Sequence, residues 1–132
     1  MDRAPEERLF ADRPVPLRLF RAIRRLIDRL GPAEVTATRT QVAFGARRKF
    51  AWVWLPQVWT TNRSPDSVTL TFSLDHAVQD ARIAEVVEPT PGRWTHHVVI
   101  ERETELDDAV EAWLREAYIL AGGAGPVAPS AP

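Results

Sequence analysis

Seven residues in the middle of the chain, Val68-Thr69-Leu70-Thr71-Phe72-Ser73-Leu74, alternate apolar and hydroxyl side chains without interruption. Successive side chains of a strand point to opposite faces, so this run demands a sheet with one face more buried than the other. Something else in the chain must cover the apolar face. Two segments of helical period, one near each end, are suited to it.

Pro14 and Pro16 mark the entry to the first of these segments, because proline fits a first helical turn. Leu17, Phe20, Ile23, Leu26, Ile27 and Leu30 recur on one face, and Gly31-Pro32 ends the run. Arg18, Arg21, Arg25 and Arg29 form a stripe opposite, read as a solvated surface. In the second segment Leu106, Ala109, Val110, Trp113, Leu114, Ala117 and Leu120 share a face, with Gly122-Gly123 as the stop. Thr104 is the expected N-cap, with Asp107 closing a weak capping box.

Between the helices the period is two. Val35 and Ala37, then Val42 and Phe44, suggest two short strands joined near Arg39-Thr40-Gln41. Gly45 to Arg48 reads as a turn, and residues 50–55 as a strand whose Trp52 and Trp54 share a face with Phe50. Residues 60–66 read as a loop, 75–83 as a connection with a short helical turn, 84–88 and 94–101 as further strands. The expected fold is α+β, with N- and C-terminal helices on one face of a mainly antiparallel, curved sheet of five or six strands. Residues 1–13 are read as a polar lead-in, 14–122 as a single domain, and 123–132 as a disordered Pro/Ala tail.

The chain has 132 residues, enough for one core and too few for two ordinary domains. With no cysteine, disulfides, thiolate metal sites and thiol catalysis fall away together. Charged residues near the start, and the lack of any long apolar run, lead to the expectation of a soluble cytoplasmic protein without a membrane partner. The net charge of −1 conceals a division. Residues 1–63 carry 13 basic and 6 acidic side chains, and residues 64–132 carry 4 and 12. The halves are expected to neutralise each other within one fold or across a homodimer.

No phosphate loop, nucleophile elbow, metal-binding helix or calcium loop is present. No metal or other cofactor is expected. His96 is the sole candidate for catalysis; it shares a strand face with Val98 and Ile100, while His76 and His97 are read as surface residues. Arg39, Arg47, Arg48 and Lys49, near Trp52, Trp54 and Trp59, suggest a site for an anionic ligand. Arg39, Arg47, Lys49, Trp52 and His96 are the expected ligand-binding residues. The favoured reading is a binding module for an anionic small molecule or a protein partner. The alternatives are a small enzyme using His96 as acid or base, and a nucleic-acid accessory protein using residues 39–59. A nucleic-acid partner is disfavoured because the chain is slightly acidic overall.

The runs LFRAIRRLIDRLGPAEVTATRTQVAFGARRKFAWV and GRWTHHVVIERETELDDAVEAWLREAY resemble the two ends of a bacterial family known as domain of unknown function five-six-five-five. The resemblance spans roughly residues 15–121. It rests on Leu30-Gly31-Pro32, Arg39-Thr40, Phe44, Phe50-Ala51, His96, Leu106-Asp107 and the stretch Trp113 to Tyr118. It implies a fold and no particular reaction. Position 39 of the family pattern is commonly Lys, and the tryptophan-rich 52–59 stretch departs from a more polar family segment.

Overall fold

The computed structural model describes residues 5–55 and 65–123. Helices α1 (Pro5–Arg8), α2 (Pro14–Asp28) and α3 (Asp108–Leu120) accompany six strands. These are β1 (Glu34–Ala37), β2 (Gln41–Gly45), β3 (Lys49–Trp54), β4 (Val68–Leu74), β5 (Ile83–Thr90) and β6 (Arg93–Ile100). All neighbours pair antiparallel, in the order β1-β2-β3-β4-β6-β5, so the sheet is open with β1 and β5 at its edges. The chain is α+β, with the expected alternation of β4 in place.

Register shows which face the helices cover. Phe44, Ala51, Phe72, His96 and Val86 are successive cross-strand partners from β2 to β5, so their side chains share a face. Phe20 of α2 stacks on Phe44 at 6.1 Å, and Trp113 of α3 stacks on Phe72 at 5.5 Å. Both long helices therefore lie on one side. Leu17, Phe20, Ile23, Leu26 and Ile27 from α2 meet Val110, Leu114, Ala117 and Tyr118 from α3 in the buried core. Trp113 is only half-buried, with the Arg82 guanidinium 5.2 Å from its ring centre.

Several local expectations change. Phe50 does not share a face with Trp52 and Trp54. Phe44 pairs with Ala51 but Gly45 with Lys49, so β3 carries one extra residue there. Such a bulge turns two consecutive side chains toward one side. Phe50 joins Ala51 in the core, edge-on to Tyr118 at 5.3 Å, and the tryptophans face away from the helices. The cap of α3 is Asp107 rather than Thr104. Its carboxylate accepts from the Val110 N–H, after a 3-10 turn over Glu103–Glu105. The 75–83 connection holds no helix; its Arg82 bridges Asp80 at 3.2 Å and Asp107 at 2.8 Å.

The lead-in is not merely polar. It forms α1 and delivers Phe10, wholly buried, onto Phe20. Glu7 of α1 pairs with Arg21 at 2.9 Å, and Glu6 pairs with Arg24. The arginine stripe thus clamps α1, and through Arg29 and Glu111 it also reaches α3. The expected tail beyond Gly123, and residues 60–64 of the expected loop, lie outside the described residues.

The C-terminus of α3 is locked to the β2–β3 turn. Gly122 N–H bonds the Ile119 carbonyl and Gly123 N–H the Tyr118 carbonyl, closing the helix as a Schellman motif. At Gly122 φ is +94°, and a Cβ there would stand 2.7 Å from Arg47 Cγ. This bare position lets the Arg47 and Arg48 N–H groups both reach the Ala121 carbonyl, at 2.9 and 3.0 Å. Tyr118 also donates its hydroxyl to the Pro32 carbonyl, 2.8 Å away, tying α3 to the connection between α2 and β1.

Leu114→Ala is expected to lower unfolding stability in urea by about 2–5 kcal/mol, since the residue is fully buried between both helices and the sheet. Tyr118→Phe, which removes one hydrogen bond and keeps the ring, should cost about 1 kcal/mol. A Leu114→Ala loss no greater than that of Tyr118→Phe would contradict this packing.

Candidate functional site

The face of the sheet turned away from the helices among the described residues, the helix-free face, is built from the residues between the core positions. Trp52, Thr71, His97 and Glu85 form one row across β3, β4, β6 and β5; Ser73, Thr95 and Val87 form the next. Trp52, Trp54, Val87 and Pro89 wall a hollow of about 290 Å³ over Thr71, Thr95 and His97, with Arg93 at one end. Its surface is largely apolar, and both tryptophans are half-buried.

A chain of polar contacts stiffens its floor. Trp54 Nε1–H donates to Thr71 Oγ1 at 3.0 Å, and Thr71 Oγ1 lies 2.7 Å from His97 Nδ1. Giving the threonine hydrogen an acceptor makes Nδ1 the acceptor and leaves the imidazole hydrogen on Nε2. That nitrogen stands 3.9 Å from Glu85 Oε1. His97, expected at the surface, is thus buried and integrated into the face.

A second cleft, of about 320 Å³, adjoins the hollow at the end of the sheet where the β2–β3 and β5–β6 turns meet α3. Arg48, Lys49, Ser73, Asp75 and Arg93 supply its polar lining. Arg93 borders both spaces. Arg48 is engaged, its guanidinium donating to the Leu120 carbonyl at the electronegative end of α3. Among the described residues Lys49 and Arg93 have neither an ion-pair nor a side-chain hydrogen-bond partner. The buried Ser73 hydroxyl oxygen likewise has none.

The five residues expected to bind a ligand do not converge. Lys49 and Trp52 lie on the helix-free side, at the cleft and the hollow respectively. Arg39 sits in the β1–β2 turn at the other end of β2 from Lys49, about 15 Å from it along a five-residue strand, at the end where Gln41 pairs with Trp54. Arg47 packs over Gly122. His96 lies on the helix side, fully buried, and borders neither space. Trp59 falls outside the described residues. Arg93, Thr71, Thr95 and His97 were not singled out as ligand contacts from sequence, because only the pairing register assembles them.

His96 is held as a neutral ring. Nε2 accepts the Val78 N–H at 2.9 Å, and the imidazole stacks on Phe72 at 4.9 Å with a 5° interplanar angle. Nδ1 carries the hydrogen and has no hydrogen-bond partner. Burial chiefly pushes the pKa of this imidazole down, and the neighbouring His76 and His97 act the same way, against an upward pull from the Phe72 and Trp94 backbone. Exposed His76 is shifted the other way, chiefly by its bond to Asp75.

A histidine depressed in the folded state stabilises the fold fully above its ordinary pKa of about 6.5. Below that value the unfolded chain takes up the proton first, so stability declines as pH falls toward the folded pKa. His76 works oppositely, losing its contribution as pH rises through its raised pKa. Comparing urea unfolding of the native protein and His96→Gln from pH 7.5 to about 5 isolates the buried ring. The native protein should lose more stability on acidification than His96→Gln; parallel curves would contradict the assignment.

Over residues 6–121 the chain matches a family described as a domain of unknown function (DUF5655). No curated protein and no solved structure is significantly similar to it. Among the described residues no helix is long and apolar enough to cross a membrane. The match takes in most of α1, both long helices and all six strands, and on that coverage the chain belongs to this family of unknown function.

Proposed function

We propose that the domain binds a small anionic molecule carrying a flat ring, seated on the helix-free face of the sheet. The observation that carries this reading is the position of Arg93, a guanidinium without a partner among the described residues, between an aromatic hollow and a cationic cleft. Trp52 offers a ring surface for stacking, and Arg93 and Lys49 offer charge for a carboxylate or phosphate. A hollow of about 290 Å³ is near the lower end for small-molecule sites and suits one ring system better than a large ligand. An enzymatic role for His96 has less support, since neither space reaches its ring. Duplex nucleic acid is also less well served, because two unpaired cations neutralise few phosphates.

A thermal-shift screen of nucleoside monophosphates and aromatic carboxylates, followed by tryptophan-fluorescence titration, tests the reading. A ligand from this class should bind about tenfold more weakly to Arg93→Ala and to Trp52→Ala, and unchanged to Arg39→Ala. Absence of any stabilising compound, or equal binding by Arg93→Ala, would refute it. Tight, steeply salt-dependent oligonucleotide binding would favour a nucleic-acid role instead.

A further inference from the structure

At the mouth of the cationic cleft three potential metal ligands meet from two parts of the chain. Asp75 and His76 follow the end of β4, and Glu116 stands on α3. His76 Nδ1 is 2.8 Å from Asp75 Oδ1 and 3.3 Å from Glu116 Oε2, and one ligand atom from each residue lies within 4.8 Å of the others. Bonds of about 2.0–2.2 Å in a tetrahedral zinc site place neighbouring ligand atoms about 3.3–3.6 Å apart. The His76–Glu116 separation already meets that edge length, and the His76–Asp75 hydrogen bond would open by about half an ångström to admit the ion.

Both sides of the trio are anchored. Glu116 lies between Leu114 and Ala117, whose burial fixes the rotation of α3. The segment after His76 is pinned by the Val78 N–H bond to His96. The charge balance also invites a cation. Neither Asp75 nor Glu116 pairs with a Lys or Arg among the described residues, and their shared partner is the imidazole. With that imidazole neutral, as a ligand must be, the trio carries two negative charges that a dication cancels.

We propose that Asp75, His76 and Glu116 form a site for a divalent transition-metal ion of the zinc class. One nitrogen and two carboxylates suit zinc, cobalt or manganese better than an all-oxygen calcium site. Three protein ligands leave at least one coordination position open. Asp75 belongs also to the cleft lined by Lys49 and Arg93, so a bound ion adjoins the proposed anion site without depending on it.

The test uses tag-free, chelator-treated full-length protein, titrated with Zn²⁺ by calorimetry and with Co²⁺ by visible absorption. One equivalent should bind, with a tetrahedral or five-coordinate cobalt spectrum, and affinity should fall about tenfold or more in both His76→Ala and Glu116→Gln. Asp75 and His76 are exposed and Glu116 is only half-buried, so circular dichroism should show both variants folded. No saturable binding, or unchanged binding in either variant, would overturn the site. Because the probe is the metal alone, this outcome is separate from any result with organic anions.

Discussion

On β3, the two residues Phe50 and Ala51 occupy one step of the pairing with β2, and the division of the sheet into a core face and a tryptophan face depends on that extra residue. Without it, strict alternation would set Phe50 on the same side as Trp52 and Trp54. The core would then lose the ring that meets Tyr118, or take in both indoles in its place. With it, aliphatic and phenyl groups pack under the helices while the indoles, Thr71 and His97 form a separate surface. The bulge lies beside the turn whose N–H groups hold the end of α3, so one short stretch sets both register and helix position.

The arginines are divided between two tasks. Arg21, Arg24, Arg29, Arg48 and Arg82 each hold one element against another, through carboxylates or a helix-end carbonyl. Their planar, forked donors suit them to such work. The partly exposed pairs add modest stability individually and set orientation more than energy. Arg93 and Lys49 are not employed in this way, which is why they, rather than the denser arginine stripe of α2, are the proposed ligand contacts.

Much of the architecture is legible in periodicity. The alternation of Val68 to Leu74 and the apolar faces of the two long helices suffice for an antiparallel sheet covered on one side. What escaped is what depends on partners distant in sequence. Phe50 reads as a companion of Trp52 because a bulge is a property of two strands. Phe10 reads as part of a charged lead-in because its partner Phe20 is reached only when α1 folds back. Adjacent His96 and His97 must face opposite ways, yet both are buried, since each face of the sheet is covered locally by different neighbours. The Arg39–Lys49 cluster is close in sequence and split by the length of β2 in space; Glu116 is remote from His76 in sequence and beside it in space.

The open sheet ends in two strands, β1 and β5, whose outer backbone groups have no strand partner among the described residues. β1 is only four residues long, a poor template for a foreign strand. β5 is longer, but Glu85 and Glu88 charge it, Pro89 removes a donor, and its pairing to β6 slips twice along its length. Short length, charge, proline and irregular pairing are the means by which natural sheets resist edge-to-edge growth. The same irregularity that shapes the rim of the hollow at Val87 and Pro89 therefore also guards the molecule against polymerising through its own hydrogen-bonding edge.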